Sequence, residues 1–258
     1  MRQMRVNETN TQISPIQVER KCGFYEKYTK RLFDIGCALL AIIVFCWLYI
    51  AIAILVRVKL GSPVLFQQPR SGKIDLKTGH EKIFYMYKFR SMSDKRDGNG
   101  NFLPDEFRLG KFGKAFRATS LDELPEVFNI LKGDMSVVGP RPQLVRDMVF
   151  MSDEQRMRHT AKPGLSGLAQ VMGRNAISWE EKLDWDLKYI KKVTFFGDLK
   201  IICQTAKKVF IRKKMTKSSE EVDITLDYGD ALLKARKVSQ EMYDVLQEQA
   251  KSLILEHN

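Results

Sequence analysis

The stretch Ile35–Val56, IGCALLAIIVFCWLYIAIAILV, carries no charged residue, and its reading decides the fold. As a helix of about 22 residues it is long enough to cross a hydrocarbon core ~30 Å thick. A helix buried in a soluble core is seldom this long and this uniformly apolar. Ahead of it lie Arg20, Lys21, Phe24, Tyr25, Lys27, Tyr28, Lys30 and Arg31, a basic and aromatic composition that suits a lipid headgroup layer. Behind it come Arg57, Lys59, Arg70 and Lys73. Basic flanks favour the cytoplasmic face, so both ends of the run are drawn to one side. A straight span does not satisfy that pull, whereas a re-entrant helix, bent midway, does. No proline stands in the run to make the bend, and Gly36 lies only near its start. Spanning and re-entry therefore both stay open, with the flanks on the side of re-entry.

The chain has 258 residues and a formal net charge of +12. Its length allows a sizeable core, and its charge implies anionic partners such as lipid headgroups, nucleotides or nucleic acid. Cys22, Cys37, Cys46 and Cys203 show no CxxC spacing, which suggests neither a zinc site nor a disulfide framework and fits a reducing compartment. The apolar run begins too late for a cleavable signal pattern.

In chain order, residues 1–20 are polar and aperiodic, a loose tail. Pro63–Gln67 and Ile83–Phe89 read as short strands joined by a turn segment around Gly72–Gly79. Ser93–Pro104 is a charged, Gly- and Asn-containing surface loop, and Phe107–Phe116 a basic helix. Val145–Thr160 reads as helical. Lys162–Asn175 is glycine-rich. Ser178–Val193 reads as a helix with Ser178 as N-cap and Glu181 at capping-box spacing. Phe195–Lys214 has the profile of a helix lying in a membrane interface, or of one with a solvated basic face on a soluble domain. After a polar break at Thr216–Asp223, Asp230–Glu256 reads as an amphipathic helix, suited to a partner helix, a homodimer contact or packing back on the body.

The chemistry concentrates in Thr119–Pro142, TSLDELPEVFNILKGDMSVVGPRP. Asp122 and Glu123 stand where a helix begins. Ser120 offers a capping box with Glu123, while Pro125, which lacks an N–H, moves the cap toward Asp122. Either way a helix end favours ionised carboxylates. An ionised aspartate can attack phosphorus, and a neighbouring carboxylate can ligand Mg²⁺ together with phosphate oxygens. Leu124, Val127, Phe128 and Leu131 form an apolar helical face. In Gly139-Pro-Arg-Pro142 the prolines fix the backbone around Arg141, whose planar fork suits bidentate phosphate contact. Lys88, Arg90, Arg117 and Arg174 are further cations near predicted element ends. His80, His159 and His257 lack metal-ligand spacing; His159, beside Arg158, suits structure or phosphate, with structure the preferred reading. No GxxxxGK[ST], strand-borne GxGxxG, HExxH or GxSxG pattern occurs, and no RNA- or DNA-binding motif is visible.

These blocks, taken in order, resemble the bacterial sugar transferases, the monotopic polyprenyl-phosphate sugar-1-phosphate transferases, in their minimal catalytic-domain form. The resemblance runs over Lys30-Arg31-Leu-Phe-Asp34, Gly61-Ser-Pro-Val-Leu-Phe66 and Tyr87-Lys-Phe-Arg-Ser-Met92. It continues through Leu121-Asp-Glu-Leu-Pro125, Leu131-Lys-Gly-Asp-Met-Ser136, Val138-Gly-Pro-Arg-Pro142, Lys162-Pro-Gly-Leu-Ser-Gly167 and Gly173-Arg-Asn175. It implies that Asp122 attacks the sugar-bearing phosphate of a UDP-sugar and releases UMP. Polyprenyl phosphate, undecaprenyl phosphate in most bacteria, then takes the sugar phosphate. This is the first membrane step of surface glycan or glycoprotein synthesis, at the cytoplasmic face of the bacterial inner membrane. By the same resemblance Glu123, with Asp122, is associated with Mg²⁺, and Lys88, Arg117, Arg141 and Arg174 bind substrate phosphate.

Three positions depart from the family pattern. Cys46-Trp47 stands where a proline break is usual, Glu126 where Gln is more frequent, and Met172 where Asn is common. The expectation is an α+β, mostly helical, membrane-associated fold. It has a re-entrant N-terminal membrane helix, a short β-hairpin, interfacial amphipathic helices and a C-terminal helical extension. Residues 1–26 form the N-terminal tail, 27–213 the catalytic domain with the membrane helix at 35–56, and 214–258 the extension. The expected partners are a UDP-sugar, polyprenyl phosphate, the phospholipid bilayer and a possible second copy, with no nucleic acid. The competing class is a non-catalytic, basic, membrane-anchored binding module.

Overall fold

In a computed structural model of the chain, residues 14–16, 20–173, 177–212 and 226–257 are described. A π-helical turn, Tyr25–Thr29, leads into helix α1, Lys30–Leu60. Then follow strands β1 (Leu65–Ile74) and β2 (Glu81–Phe89), and helices α2 (Asp105–Arg108), α3 (Lys111–Ala118) and α4 (Glu126–Lys132). Strand β3 (Ser136–Val138), helices α5 (Val145–Met148) and α6 (Asp153–Arg156), strand β4 (Gly164–Ser166) and helix α7 (Leu168–Met172) come next. Helices α8 (Trp179–Lys191), α9 (Phe195–Arg212), α10 (Tyr228–Lys234) and α11 (Gln240–Glu256) complete the order. The fold is mostly helical, with two small sheets.

Among the described residues one helix, Tyr25–Leu60, is long and apolar enough to cross a membrane, and only 11% of its most apolar window is buried by the protein. A core helix would bury most of that surface, so this helix is built for an apolar surrounding that the chain does not supply.

The chain forms two compact units. The smaller comprises Asp34–Gln68 and Tyr85–Gly133. Its core joins Ile52 and Val56 of α1 to Phe89 and Phe116, with Tyr49, Phe112, Leu121 and Leu124 packed around them. The larger comprises the described residues of Met1–Phe33, Pro69–Phe84 and Asp134–Asn258. Within it β3 and β4 pair in parallel, Ser136 opposite Gly164 and Val138 opposite Ser166. Val138, Val171, Tyr189, Ile190, Val193 and Ile201 make one of its cores. A second core gathers Val145, Met148, Phe150, Leu183, Tyr228, Leu232 and Ala250.

The hairpin strands run longer than the turn signals imply. β1 continues through Gly72, because a side chain there would meet the Lys82 carbonyl at 2.7 Å and only glycine permits that approach. The turn is confined to Asp75–His80, closed by the Asp75 N–H on the His80 carbonyl at 2.8 Å. The basic helix expected at Phe107–Phe116 divides at Gly110 into α2 and α3. Val145–Thr160 is not one helix but α5, α6 and a 3₁₀ turn, Met157–Thr160. The restart is set by Ser152, which forms a capping box with Gln155. The Ser178–Glu181 capping box forms as its spacing implies.

The expected single C-terminal helix is two helices, α10 and α11, parted at Arg236, whose φ is 54°. Ser239 caps the second, accepting from the Met242 N–H. Their apolar faces pack on α5, so the extension folds back on the body. The N-terminal tail at 1–13 and 17–19, the polar break at Thr216–Asp223, and Lys213 and Lys214 lie outside the described residues.

Candidate active site

Asp122 and Glu123 lie in a 3₁₀ turn, Leu121–Glu123, ahead of α4. The expected capping geometry is not the one adopted. Ser120 sits in the left-handed region, φ 56°, with no side-chain cap bond, and Pro125 precedes the first residue of α4. The acids therefore do not occupy the first turn of one long helix. Pro125 without an N–H makes the break, since it can start a helix but cannot extend the preceding turn.

What fixes this turn beside β2 is Asn129 of α4, a fully buried residue. Its side chain accepts from the Tyr87 N–H at 2.9 Å and donates to the Tyr85 carbonyl at 2.8 Å. It thereby supplies the backbone partners that a further strand would give to β2. Lys88 is brought between two acids, 3.2 Å from Glu123 and 3.5 Å from Glu126. Arg117, near the end of α3, donates to the Ser91 hydroxyl at 2.8 Å.

Burial pushes the Asp122 carboxyl above the usual range, Glu123 adds to that, and the charges of Lys88 and Arg117 oppose it. Desolvation thus dominates over the helix-end effect that the sequence alone suggests.

The structure therefore brings together Asp122, Glu123, Lys88 and Arg117, with Glu126 beside them. Arg141 belongs to the other compact unit, between β3 and α5. Its loop is tightly bound within that unit. The Gly139 N–H donates to the Ser166 carbonyl, the Gly164 N–H to the Pro140 carbonyl, and Arg158 to the Arg141 carbonyl at 2.7 Å. Side chains at Gly139 or Gly164 would meet backbone at 2.2 Å and 2.0 Å, so glycine is required at both. Burial lowers the Lys182 ammonium pKa, and the Arg141 charge adds to that. Arg90 belongs to structure, donating to the Ser62 carbonyl and Asp94, each at 2.8 Å. Arg174 lies outside the described residues.

His159 is structural, as expected. Arg158 can only donate, so the His159 Nε2 it meets at 3.1 Å is the acceptor and Nδ1 donates to Glu81 at 3.0 Å. Sequence reading missed Asn129 and Ser91. The one available signal was a polar Asn129 set among the apolar Val127, Phe128, Ile130 and Leu131.

The donor set suits Mg²⁺. This hard cation takes one or two carboxylates and completes its shell with phosphate oxygens and water, and Asp122 and Glu123 supply two adjacent carboxylates. Among the described residues no group of three or more His, Cys, Asp or Glu could hold a metal by itself, which a cation shared with substrate does not need.

Comparison with known proteins covers the same region of the chain. The family model described as Bacterial sugar transferase matches residues 25–212. The chain is 47% identical over 182 residues to the uncharacterized sugar transferase EpsL of Bacillus subtilis, covering 70% of this chain and 87% of that protein. It is 36% identical to the undecaprenyl-phosphate galactose phosphotransferase of Salmonella typhimurium, over 72% of this chain and 41% of that protein. It is 38% identical to the UDP-glucose:undecaprenyl-phosphate glucose-1-phosphate transferase of Klebsiella pneumoniae, over 71% of this chain and 40% of that protein. The chain thus spans most of the first relative and under half of the other two. The family model spans well over half of the sequence, and this chain is a member of the bacterial sugar transferase family.

Proposed function

We propose that the chain is a phosphoglycosyl transferase, moving a sugar 1-phosphate from a UDP-sugar to polyprenyl phosphate. The observation that carries this reading is the cluster of Asp122, Glu123, Lys88 and Arg117 within the family-matched region. Relatives named for transfer to undecaprenyl phosphate support it. A carboxylate oxygen of Asp122 attacks the sugar-bearing phosphorus. The bond from that phosphorus to the bridging oxygen breaks, and UMP leaves with the electron pair. A phosphate oxygen of the polyprenyl carrier then attacks the same phosphorus. The bond to Asp122 breaks, the carboxylate is restored, and a polyprenyl diphosphosugar is released.

Lys88 and Arg117 balance phosphate charge, and Arg141 and Arg174 are assigned to substrate phosphate by family resemblance. Glu123 and Asp122 would hold Mg²⁺, which when bound supplies charge neutralisation at the diphosphate. Glu123 can change partners in this scheme because its contact with Lys88 is only partly buried.

The membrane helix is read as re-entrant, with the active site at the cytoplasmic face of the bacterial inner membrane, where nucleotide sugars are found. Both flanks are basic, and both ends of α1 are tied to folded segments. Lys30 pairs with Asp198, which also accepts from Tyr189 at 2.9 Å, and Ile52 and Val56 pack on Phe89 and Phe116. Among the described residues one helix is suited to enter the bilayer. The exposed Phe24, Phe195, Phe196 and Leu199 supply an apolar surface for the bilayer interface.

The test is a panel of radiolabelled UDP-sugars incubated with the membrane-reconstituted protein and undecaprenyl phosphate. At least one donor is expected to give labelled lipid and an equal amount of UMP. No labelled lipid across UDP-hexoses and UDP-N-acetylhexosamines would overturn the assignment.

A further inference from the structure

Tyr49 stands within the apolar run of α1, where its ring would ordinarily be read as one more membrane-facing group. Its hydroxyl instead donates to the Leu124 carbonyl at 2.9 Å. Its ring lies 6.3 Å from that of Phe89 and 6.0 Å, edge-on, from that of Phe128. Each contact adjoins a charged residue of the site: Leu124 follows Glu123, Phe89 follows Lys88, and Phe128 shares α4 with Glu126. One side chain of the membrane helix therefore touches all three segments that carry the charges. The Leu124 carbonyl already accepts from the Val127 N–H at 3.2 Å, and Tyr49 takes its remaining lone pair. In apolar surroundings neither the hydroxyl nor that lone pair has a comparable alternative, which makes the bond selective for this register.

We infer that Tyr49 is a positioning residue, locking the Asp122–Glu123 turn and the end of β2 to the membrane helix. The inference rests on the reading of that turn as the phosphosugar site, and it goes further by giving the helix a role beyond anchoring. Tyr49 acts through Leu124 and Phe89 and need not touch substrate. It also places a fixed point two residues after Trp47, in the part of the helix where the family's proline break is missing.

The experiment uses the full chain in bilayer nanodiscs, comparing wild type, Tyr49→Phe, Tyr49→Leu and a Tyr28→Phe control. Tyr49→Phe keeps the ring and removes only the hydrogen bond. Hydrogen exchange of the 119–132 peptide is expected to rise about fivefold, the scale of one such bond. The kcat for UMP release is expected to fall about fivefold with the donor KM unchanged. Tyr49→Leu, which also loses the ring contacts, should exceed both changes, and Tyr28→Phe should show neither. Wild-type exchange in 119–132 for Tyr49→Phe overturns the inference, as does a raised KM at full kcat. If wild type releases no UMP, the proposed function fails, but the exchange comparison still decides whether Tyr49 holds the turn.

Discussion

Two of the charge clusters among the described residues, one in each compact unit, differ in how far water reaches the pairs in them. In the larger unit Arg158 and Asp186 have side chains only 0% and 2% exposed, and Arg156 and Glu81 3% and 2%. Arg156 meets both Glu81 oxygens, at 2.9 and 2.7 Å. In the smaller unit Lys88 and Glu123 remain 15% and 16% exposed. Three carboxylates, Asp122, Glu123 and Glu126, stand there against Lys88 and Arg117. A closed pair holds backbone in place and resists exchange, because parting it leaves a buried charge. The Lys88–Glu123 pair, still reached by water, can be parted at less cost, as its proposed role at substrate phosphate requires. The comparison separates charges that hold the backbone of Arg141 from charges proposed to take part in the chemistry.

Breaking the open cluster should cost activity and little stability. Asp122→Asn is expected to lower UMP release at least about a thousandfold, the scale for losing a nucleophile. Its thermal unfolding midpoint should stay near wild type, and turnover close to wild type would reject the nucleophile assignment.

Breaking the closed cluster should do the reverse. Glu81→Gln takes from Arg156 its buried, two-pronged ion partner, leaving only the exposed Asp153, and should destabilise by about 3 kcal/mol, read from chemical unfolding. Burial raises the Glu81 carboxyl, but hydrogen bonds from His159 and Arg156 outweigh it and hold it at about 2 against an ordinary 4.5. A depressed pKa gives stability that is full above the ordinary value and lost as pH falls toward the folded one. Wild type should therefore lose this contribution between pH 4.5 and 2, and Glu81→Gln should lack that slope.

Arg141 sharpens the comparison, since its backbone is held by the closed set while its side chain is assigned to substrate. Arg141→Ala should reduce transfer roughly thirtyfold, as for a lost charged phosphate contact, with an unchanged unfolding midpoint. Full activity would reject the phosphate-binding role.

The smallest effect is expected at Asp147, buried beneath the C-terminal extension. Burial and then Asp227 push its carboxyl from 3.8 to about 6, against the opposing Gly229 N–H. Its stabilising form is the protonated one, complete below pH 3.8 and lost as pH rises through about 6. Asp147→Asn keeps an acceptor for Gly229 and should raise stability at pH 7 by about 1–2 kcal/mol. At pH 3.5 the variant and wild type should unfold alike.

Much of this was legible in the residues. The apolar run, the Ser178 cap, the hairpin and the paired acids announce themselves through length, spacing and composition, whereas Lys88 and Arg117 join those acids only through the family resemblance. Other features depend on contacts distant in sequence. Asn129 pairs with β2 across more than forty residues, and Tyr49 reaches Leu124 across 75. No local pattern encodes either. The failed Ser120 cap shows the same limit from the other side, because a left-handed backbone can void a motif whose spacing is correct.

The sequence by itself determined the membrane helix, the family and the identity of the acidic turn, since these follow from hydrophobic length and from chemistry carried by adjacent residues. Tertiary structure decided which cations meet those acids, that Asp122 is desolvated, that the C-terminal helices fold back on α5, and that Tyr49 faces the site. Burial and long-range hydrogen bonds are properties of the packed chain. They exist only once segments far apart in sequence have excluded water between them.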